Sequence, residues 1–106
     1  VRLAAKKQER TVREGLVEGY VHSTGKVGAL VAIRCETDFV AKSSEFKNLC
    51  HELALQVASM DPEDVPLLLE QQYIKDASKT VKDLISAHVA RLGENIVVEK
   101  FTRFHL

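Results

Sequence analysis

The sequence predicts an α+β fold, a small three-stranded antiparallel sheet with helices packed on one face. Three segments are rich in β-branched and aromatic residues, and two others carry apolar residues at helical spacing. No strand–helix–strand repeat of the parallel type is visible, so an antiparallel sheet is expected, and 106 residues suit one domain. The strand segments are 15–22, 27–36 and 95–106, and the helical segments are 43–59 and 81–92.

The first 13 residues are expected to form a basic linker helix. Their composition favours helix, and they hold five basic groups and one acidic group. The whole chain has 15 basic and 15 acidic residues, so the remainder is mildly acidic. Because few apolar residues mark a buried face, we interpret residues 1–13 as a solvated segment and residues 14–106 as the folded core.

Two predicted strands follow, joined by the loop Ser23-Thr24-Gly25-Lys26. A four-residue loop that contains glycine is typical of a hairpin, and Gly25 can adopt a positive φ. The second strand alternates in character, so one of its faces is wholly apolar. That face, which we expect to contact the helices, holds Val27, Ala29, Val31, Ile33 and Cys35.

A short connection over residues 37–41 leads to the first long helix. Ser43 or Ser44 can cap this helix, which is predicted to end near residue 59, before Asp61-Pro62. The apolar stripe of the helix consists of Phe46, Leu49, Cys50, Leu53, Val57 and Met60.

Residues 61–79 are expected to be irregular, although their leucines indicate that they pack on something. A second helix is predicted over 81–92, because Thr80 with Asp83 forms a capping-box pattern. Gly93 suits the C-terminal end of that helix.

The third strand, over residues 95–106, alternates imperfectly between apolar and polar side chains. This irregularity predicts a β-bulge, or partial cover on both faces of the strand.

Several protein classes are excluded by what the sequence lacks. No apolar run approaches the roughly 20 residues of a membrane span, and the basic, polar start is not a signal peptide. Cys35 and Cys50 are too few for a disulfide scaffold, so we interpret them as free thiols. Cys50-His51 has no second pair of ligands, and therefore no metal site is predicted.

Catalytic motifs are also missing from the sequence. It contains no nucleophile elbow, phosphate-binding loop or zinc-protease pattern. Glu36 and Asp38 are close enough to suggest an acid–base pair, but strand ends commonly carry exposed acids. His88 lies on the apolar stripe of its helix and is interpreted as a packing residue. We therefore predict neither an enzyme nor a cofactor.

The segment Glu36-Thr37-Asp38-Phe39-Val40 stands out, because Phe39 lies beside two acids in a connection that should be at the surface. Two interpretations of Phe39 are open. Composition alone favours a core residue, since Phe is usually buried. The alternative is an exposed aromatic anchor, flanked by acid, that fills a pocket on a partner protein.

Three separated groups of residues form a recognisable set of motifs. They are Glu14-Gly15-Leu16-Val17 through Gly25-Lys26-Val27-Gly28, Cys35-Glu36-Thr37-Asp38-Phe39-Val40-Ala41, and Gly93-Glu94-Asn95-Ile96 followed by Phe101, Arg103 and Phe104. These motifs resemble the translation elongation factor Ts family, and the resemblance covers nearly the whole chain. It implies a guanine nucleotide exchange factor that promotes GDP release from elongation factor Tu, the GTPase that delivers aminoacyl-tRNA to the ribosome. Such a factor needs no catalytic group, cofactor or metal of its own.

The resemblance also implies which residues contact the GTPase. In the family, the Asp and Phe of this motif intrude near the magnesium and phosphate site, a role that falls here on Asp38 and Phe39. Thr37 and Val40 would shape the turn that presents them. This reverses the expectation for Phe39, which becomes an exposed anchor. A weaker candidate for a second contact is the hairpin loop, Ser23, Thr24, Gly25 and Lys26.

Three features depart from the family pattern. The family usually begins with a small helical domain, so we interpret residues 1–13 as the linker that trails it. Between Asp61-Pro62 and Leu67 the family commonly has a far longer insertion, which Glu63–Pro66 spans here. Glu99 stands where a basic residue is common.

Two copies of the chain are expected to pair, because some family members carry two related core units and shorter ones form dimers. The less-covered face of the sheet, with Leu30, Ala32 and Phe104, is the expected contact. Bacterial cytoplasm and an organelle matrix are both compatible locations. Neither membrane association nor nucleic acid as the primary partner is expected.

Two other hypotheses remain open from the sequence. An RNA-binding or ribosome-associated module would use the basic tail, residues 1–13, and its binding would depend steeply on salt. A solvated linker is the preferred interpretation of that tail. A small hydrolase is the third hypothesis, but no nucleophile with its base is assembled.

Overall fold

The computed structural model describes residues 11–106. In chain order, the elements are β1 (Glu14–Val21), β2 (Val27–Cys35), α1 (Asp38–Ala41), α2 (Ser44–Met60), α3 (Val65–Glu70), β3 (Gln72–Tyr73), β4 (Asp76–Thr80), α4 (Val81–Leu92) and β5 (Val97–His105). The predicted linker helix over 1–13 lies outside the described residues, except that 11–13 belong to no helix or strand. None of the helices in the described part has the length and apolar character needed to cross a membrane.

The main sheet confirms the α+β prediction, with three antiparallel strands in the order β1-β2-β5. Successive side chains of β2 point to opposite faces, and the apolar face lies against the helices as predicted. On that face Ala29, Val31, Ile33 and Cys35 are each 5% exposed or less. Burial of this face, together with the apolar stripes of the helices, forms the core.

Strand β5 contains the predicted bulge. Its register against β2 shifts between Ala32 and Ile33, which leaves Glu99 as the extra residue. The carboxylate of Glu99 forms an ion pair with the guanidinium of Arg34 on β2. The hydrogen bond between them raises the pKa of Arg34 and lowers the pKa of Glu99.

Helix α2 is the central helix of the core, and most of its predicted stripe is buried. Met60 is 48% exposed, however, so its assignment to the stripe is wrong. Met60 is the last residue of the helix, and Asp61 directly after it turns the chain with a left-handed φ of 48°. The members of the stripe that are 1% exposed or less are Phe46, Leu49, Cys50, Leu53 and Val57.

The prediction of irregular structure over 61–79 is wrong, because this region contains helix α3 and the β3–β4 hairpin. The buried side chain of Gln56 on α2 holds the hairpin in place. Its amide nitrogen donates to the Gln72 carbonyl at 3.0 Å, and its amide oxygen accepts from the N–H of Ile74 at 3.0 Å. The hairpin is therefore fixed by a tertiary contact that local sequence does not reveal.

Helix α4 confirms the prediction at both ends. Thr80 and Asp83 form the capping box, with mutual hydrogen bonds of 3.0 and 3.1 Å. Gly93 ends the helix with a φ of 78°. His88 is half-buried, and its ring Nδ1 donates to the Leu84 carbonyl at 2.9 Å, as befits a packing residue.

Candidate partner-binding site

The chain leaves β2 at Cys35 and enters the four-residue helix α1 through Thr37. Thr37 has extended backbone angles, and its hydroxyl accepts a hydrogen bond from the N–H of Val40 at 3.2 Å. This is the N-cap contact that threonine makes at a helix start. The turn that carries the candidate site is thus set by the residue that precedes Asp38.

Helix α1 separates its four side chains into a buried pair and an exposed pair. Val40 is 5% exposed and Ala41 is 7% exposed, whereas Phe39 is 82% exposed. Asp38 is also exposed, and its carboxylate lies 3.7 Å from the ammonium of Lys42. The core interpretation of Phe39 is therefore wrong, and an aromatic ring stands outward beside a carboxylate.

Ser43 joins this turn to the start of α2. Its hydroxyl donates to the Val40 carbonyl at 2.7 Å and accepts from the N–H of Phe46 at 3.2 Å. Phe46 is fully buried. The short helix α1 is thus bonded to the helix that forms the centre of the core.

The carboxylate of Glu94, in the loop between α4 and β5, binds the other end of the turn. It accepts from the N–H groups of Glu36 and Thr37 at 3.0 and 3.1 Å, and from the Thr37 hydroxyl at 2.7 Å. The sequence alone does not predict this contact, since the partners are 57 and 58 residues apart. In the sequence, Glu94 stands out only as part of the motif Gly93-Glu94-Asn95-Ile96.

The hairpin loop 23–26 lies far from this turn. The two segments stand at opposite ends of β2, whose nine residues span roughly 30 Å of extended chain. Within the loop, Gly25 has a φ of 72°, and its N–H donates to the His22 carbonyl at 2.8 Å. Ser23, Thr24, Gly25 and Lys26 are exposed, but the structure does not bring them together with Asp38 and Phe39.

The face of the sheet that points away from the helices, which we call the outer sheet face, carries exposed apolar side chains together with Lys100 and Thr102 of β5. The pairing register places Val17 beside Ala32 and Gly19 beside Leu30, and it places Val21 and Phe104 on either side of Gly28. The exposed fractions of its large side chains are 65% for Val17, 71% for Val21, 47% for Leu30 and 64% for Phe104.

The remaining candidates for chemistry have structural roles. Glu36 is half-buried, and its carboxylate accepts from the N–H of Asn95, so it is not an exposed acid paired with Asp38. Burial raises the pKa of the Cys35 thiol to about 11, and nearby carboxylates add to the rise. Cys35 and Cys50 are buried free thiols. Within residues 11–106, no group of three or more His, Cys, Asp or Glu side chains is arranged to hold a metal ion.

Comparison with known proteins decides the family. The family model described as elongation factor TS matches residues 36–106, well over half of the chain. This chain belongs to the elongation factor Ts family. It is therefore a translation elongation factor, and its part in protein biosynthesis is in the elongation stage.

Individual elongation factor Ts relatives match nearly the whole chain. The protein of Caldanaerobacter subterraneus subsp. tengcongensis is 40% identical over 146 residues, which cover 95% of this chain and 73% of the relative. The protein of Coprothermobacter proteolyticus is 40% identical over 148 residues, and the match covers 97% of this chain and 75% of the relative. The protein of Methylacidiphilum infernorum is 37% identical over 146 residues, and the match covers 97% of this chain and 73% of the relative.

These matched stretches are longer than the 106 residues of the chain, so the relatives contain residues within the matched region that this chain lacks. In this chain, the segment after Asp61 forms the six-residue helix α3 and the short β3–β4 hairpin. The elongation factor Ts core is thus folded here in a shortened form.

Proposed function

We propose that this elongation factor Ts core promotes the release of GDP from elongation factor Tu, in the bacterial cytoplasm, by inserting Asp38 and Phe39 into the GTPase. The observation that carries the proposal is the 82% exposure of Phe39 on a turn whose neighbouring residues are buried or hydrogen-bonded. Large aromatic side chains that fill partner pockets are typical binding hot spots. An exposed Phe on an ordered turn suits that role.

The physical basis of the proposed exchange is linkage between two ligands. A factor that binds the nucleotide-free GTPase more tightly than the GDP-bound form must weaken GDP binding by the same ratio. GDP is held by contacts to its phosphates and to Mg²⁺, which depend on exact placement of the protein groups. An aromatic ring can displace a segment of the partner, and a carboxylate can compete for the groups that served phosphate or metal. Neither step requires a catalytic group on this chain.

The direct test follows the fluorescence of a labelled GDP on elongation factor Tu after an excess of unlabelled GDP is added. We expect the full chain to accelerate release in a dose-dependent manner, and heat-unfolded protein to have no effect. A release rate that stays at its spontaneous value at every concentration of the folded chain would reject the proposal.

The outer sheet face supports a second part of the proposal, that two copies of the chain pair through it. Val17, Val21, Leu30 and Phe104 form an exposed apolar surface on one face of the sheet. Contiguous apolar surfaces of this kind commonly mark protein interfaces. A face that contacts its own copy across a twofold axis buries this surface without a second partner.

Sedimentation velocity over a range of concentrations tests the pairing. We expect a dimer for the wild type and a monomer for Leu30→Arg, because the buried charge would be unpaired. Leu67→Arg on α3 is the matched control, since Leu67 is 41% exposed and Leu30 is 47% exposed. A wild type that sediments as a monomer throughout, or equal effects of the two variants, would rule out pairing through this face.

The weaker contact by the hairpin loop remains part of the proposal only as a contact with a distant region of the GTPase, because the loop is roughly 30 Å from Phe39. The alternative of RNA binding through the basic tail falls on residues 1–13, of which 1–10 lie outside the described residues. No contact or surface of the described residues favours it.

A further inference from the structure

The carboxylate of Glu94 accepts three hydrogen bonds from the two residues with which the chain enters helix α1. One carboxylate oxygen accepts from the N–H groups of Glu36 and Thr37, at 3.0 and 3.1 Å. The other accepts from the Thr37 hydroxyl at 2.7 Å. Hydrogen bonds to a charged acceptor are stronger than those between neutral groups. A single side chain therefore binds the backbone before the turn and the side chain that caps it.

The same two segments are also bonded in the opposite direction. The carboxylate of Glu36 accepts from the N–H of Asn95, the residue that follows Glu94. Residues 36–37 thus donate hydrogen bonds to Glu94, and Glu36 accepts one from Asn95. The bonds made by the N–H groups of Glu36 and Asn95 are partly buried, whereas the two bonds from Thr37 to Glu94 are at the surface.

The contact with Glu94 also orients the cap of α1. The Thr37 hydroxyl has one proton, which it donates to Glu94, and its lone pairs then accept from the N–H of Val40 at 3.2 Å. The carboxylate thereby selects the conformation in which Thr37 can cap the helix. If Glu94 is removed, the cap loses the partner that orients it.

A four-residue helix is not stable by itself, because helix formation begins with an unfavourable nucleus. Phe39, at 82% exposure, makes few contacts that could hold its own position. The position of Phe39 must therefore be fixed by its neighbours in the turn. Val40 is packed in the core, and Thr37 is hydrogen-bonded to Glu94. A group that is ordered before binding avoids the entropy loss of ordering during binding.

We propose that Glu94 is a positioning residue for nucleotide exchange, whose carboxylate holds the turn so that Asp38 and Phe39 project in the orientation the GTPase meets. This inference rests on the proposed exchange function. Glu94 acts through Thr37, and its predicted contribution is the order of the turn before binding.

Three variants test this inference. Glu94→Ala removes the three hydrogen bonds that the Glu94 carboxylate accepts. Glu94→Gln keeps an oxygen for the two N–H groups, and its amide can donate to the Thr37 hydroxyl oxygen. Glu70→Ala, at the exposed end of α3, is the matched control. Amide hydrogen exchange by NMR in the free protein and stimulated GDP release are measured for each variant.

We expect Glu94→Ala to speed exchange of the Thr37 and Val40 amides about tenfold or more, while Leu53 in the core keeps its rate. The chain concentration that gives half-maximal stimulation of GDP release should rise about tenfold, because the turn must then be ordered during binding. Glu94→Gln should restore most of both values, and Glu70→Ala should match the wild type. Rescue by Gln is not expected if Glu94 acts through its charge on the partner.

Three outcomes overturn the inference. Wild-type GDP release by Glu94→Ala would show that order of the turn is not needed. Equal acceleration of all amides, Leu53 included, would show a general loss of stability. Failure of Glu94→Gln to restore release, with its amides protected, would show that the carboxylate acts by charge. If the wild type itself does not stimulate release, the proposed function fails first, which distinguishes the two failures.

Discussion

Phe39 and Val40 are consecutive residues with opposite environments, since Phe39 is 82% exposed and Val40 is 5% exposed. Two hydrogen bonds fix helix α1 at Val40. Its N–H donates to the Thr37 hydroxyl, and its carbonyl accepts from the Ser43 hydroxyl. Val40 therefore holds the turn against the core, while the side chain of Phe39 projects from the turn into solvent.

This contrast predicts different costs for two neighbouring truncations. Phe39→Ala should change the free energy of unfolding by about 0.5 kcal/mol or less, because an exposed ring loses little packing. Val40→Ala should destabilise by about 2 kcal/mol, from lost burial and the cavity that remains. Urea unfolding measures both values. A larger loss for Phe39→Ala than for Val40→Ala would mean that the ring packs on its own subunit.

Two glycines form a second matched pair. Gly15 on β1 has a φ of 150°, and a Cβ there would lie 2.0 Å from the Ile33 carbonyl oxygen. Gly25 has a φ of 72°, and a Cβ there would meet nothing within 4 Å. We expect Gly15→Ala to destabilise by about 3 kcal/mol or more, and Gly25→Ala by about 1 kcal/mol, the cost of left-handed backbone alone. Equal urea midpoints for the two variants would contradict this account.

The elements that the sequence predicts well are those whose ends have local causes. The capping box of Thr80 and Asp83 and the left-handed Gly93 define helix α4, and the hairpin loop with Gly25 defines the first strand pair. The bulge at Glu99 follows from broken alternation in β5. In each case the cause lies within a few residues of the effect.

The elements that the sequence does not predict are fixed by distant contacts. Helix α3 has only six residues, too few for helical periodicity to show, and the β3–β4 hairpin is held by Gln56 on another helix. In the candidate site, composition alone favours burial of Phe39, and its exposure is expected only from the family resemblance of its motif. The bond between Thr37 and Glu94 is not predicted, because 57 residues separate them.

Stability should fall in acid because several carboxylates are hydrogen-bonded in the folded state. The pKa of Asp83 is lowered by the Thr80 N–H, and the pKa of Glu99 is lowered by Arg34. A lowered pKa in the folded state means that the stabilisation is present above the pKa of the unfolded chain, about 4. It is lost as pH falls through the lower, folded value.

Asp83→Asn provides the measurement for this pH dependence, because asparagine still accepts a hydrogen bond but does not titrate. We expect the wild type to exceed the variant in urea midpoint at about pH 6, and the difference to shrink toward about pH 3. A difference that is constant over this range would show that ionisation of Asp83 does not contribute.

The two thiols should react slowly in the folded protein. Burial raises the pKa of Cys35 to about 11 and that of Cys50 to about 12, so little thiolate is present at neutral pH. We expect a thiol reagent to label neither residue quickly in buffer and to label both in urea. Fast labelling of either residue without urea would contradict the burial described here.

The proposed anchor is tested most directly by the rate of GDP release from elongation factor Tu with Phe39→Ala and Asp38→Ala. The controls are Leu67→Ala and Glu63→Ala, exposed residues of similar type on another part of the surface. We predict that each site variant lowers stimulated release at least about tenfold, as truncation of a binding hot spot does, while the controls keep wild-type rates and all variants remain folded. Full stimulation by folded Phe39→Ala would contradict the account.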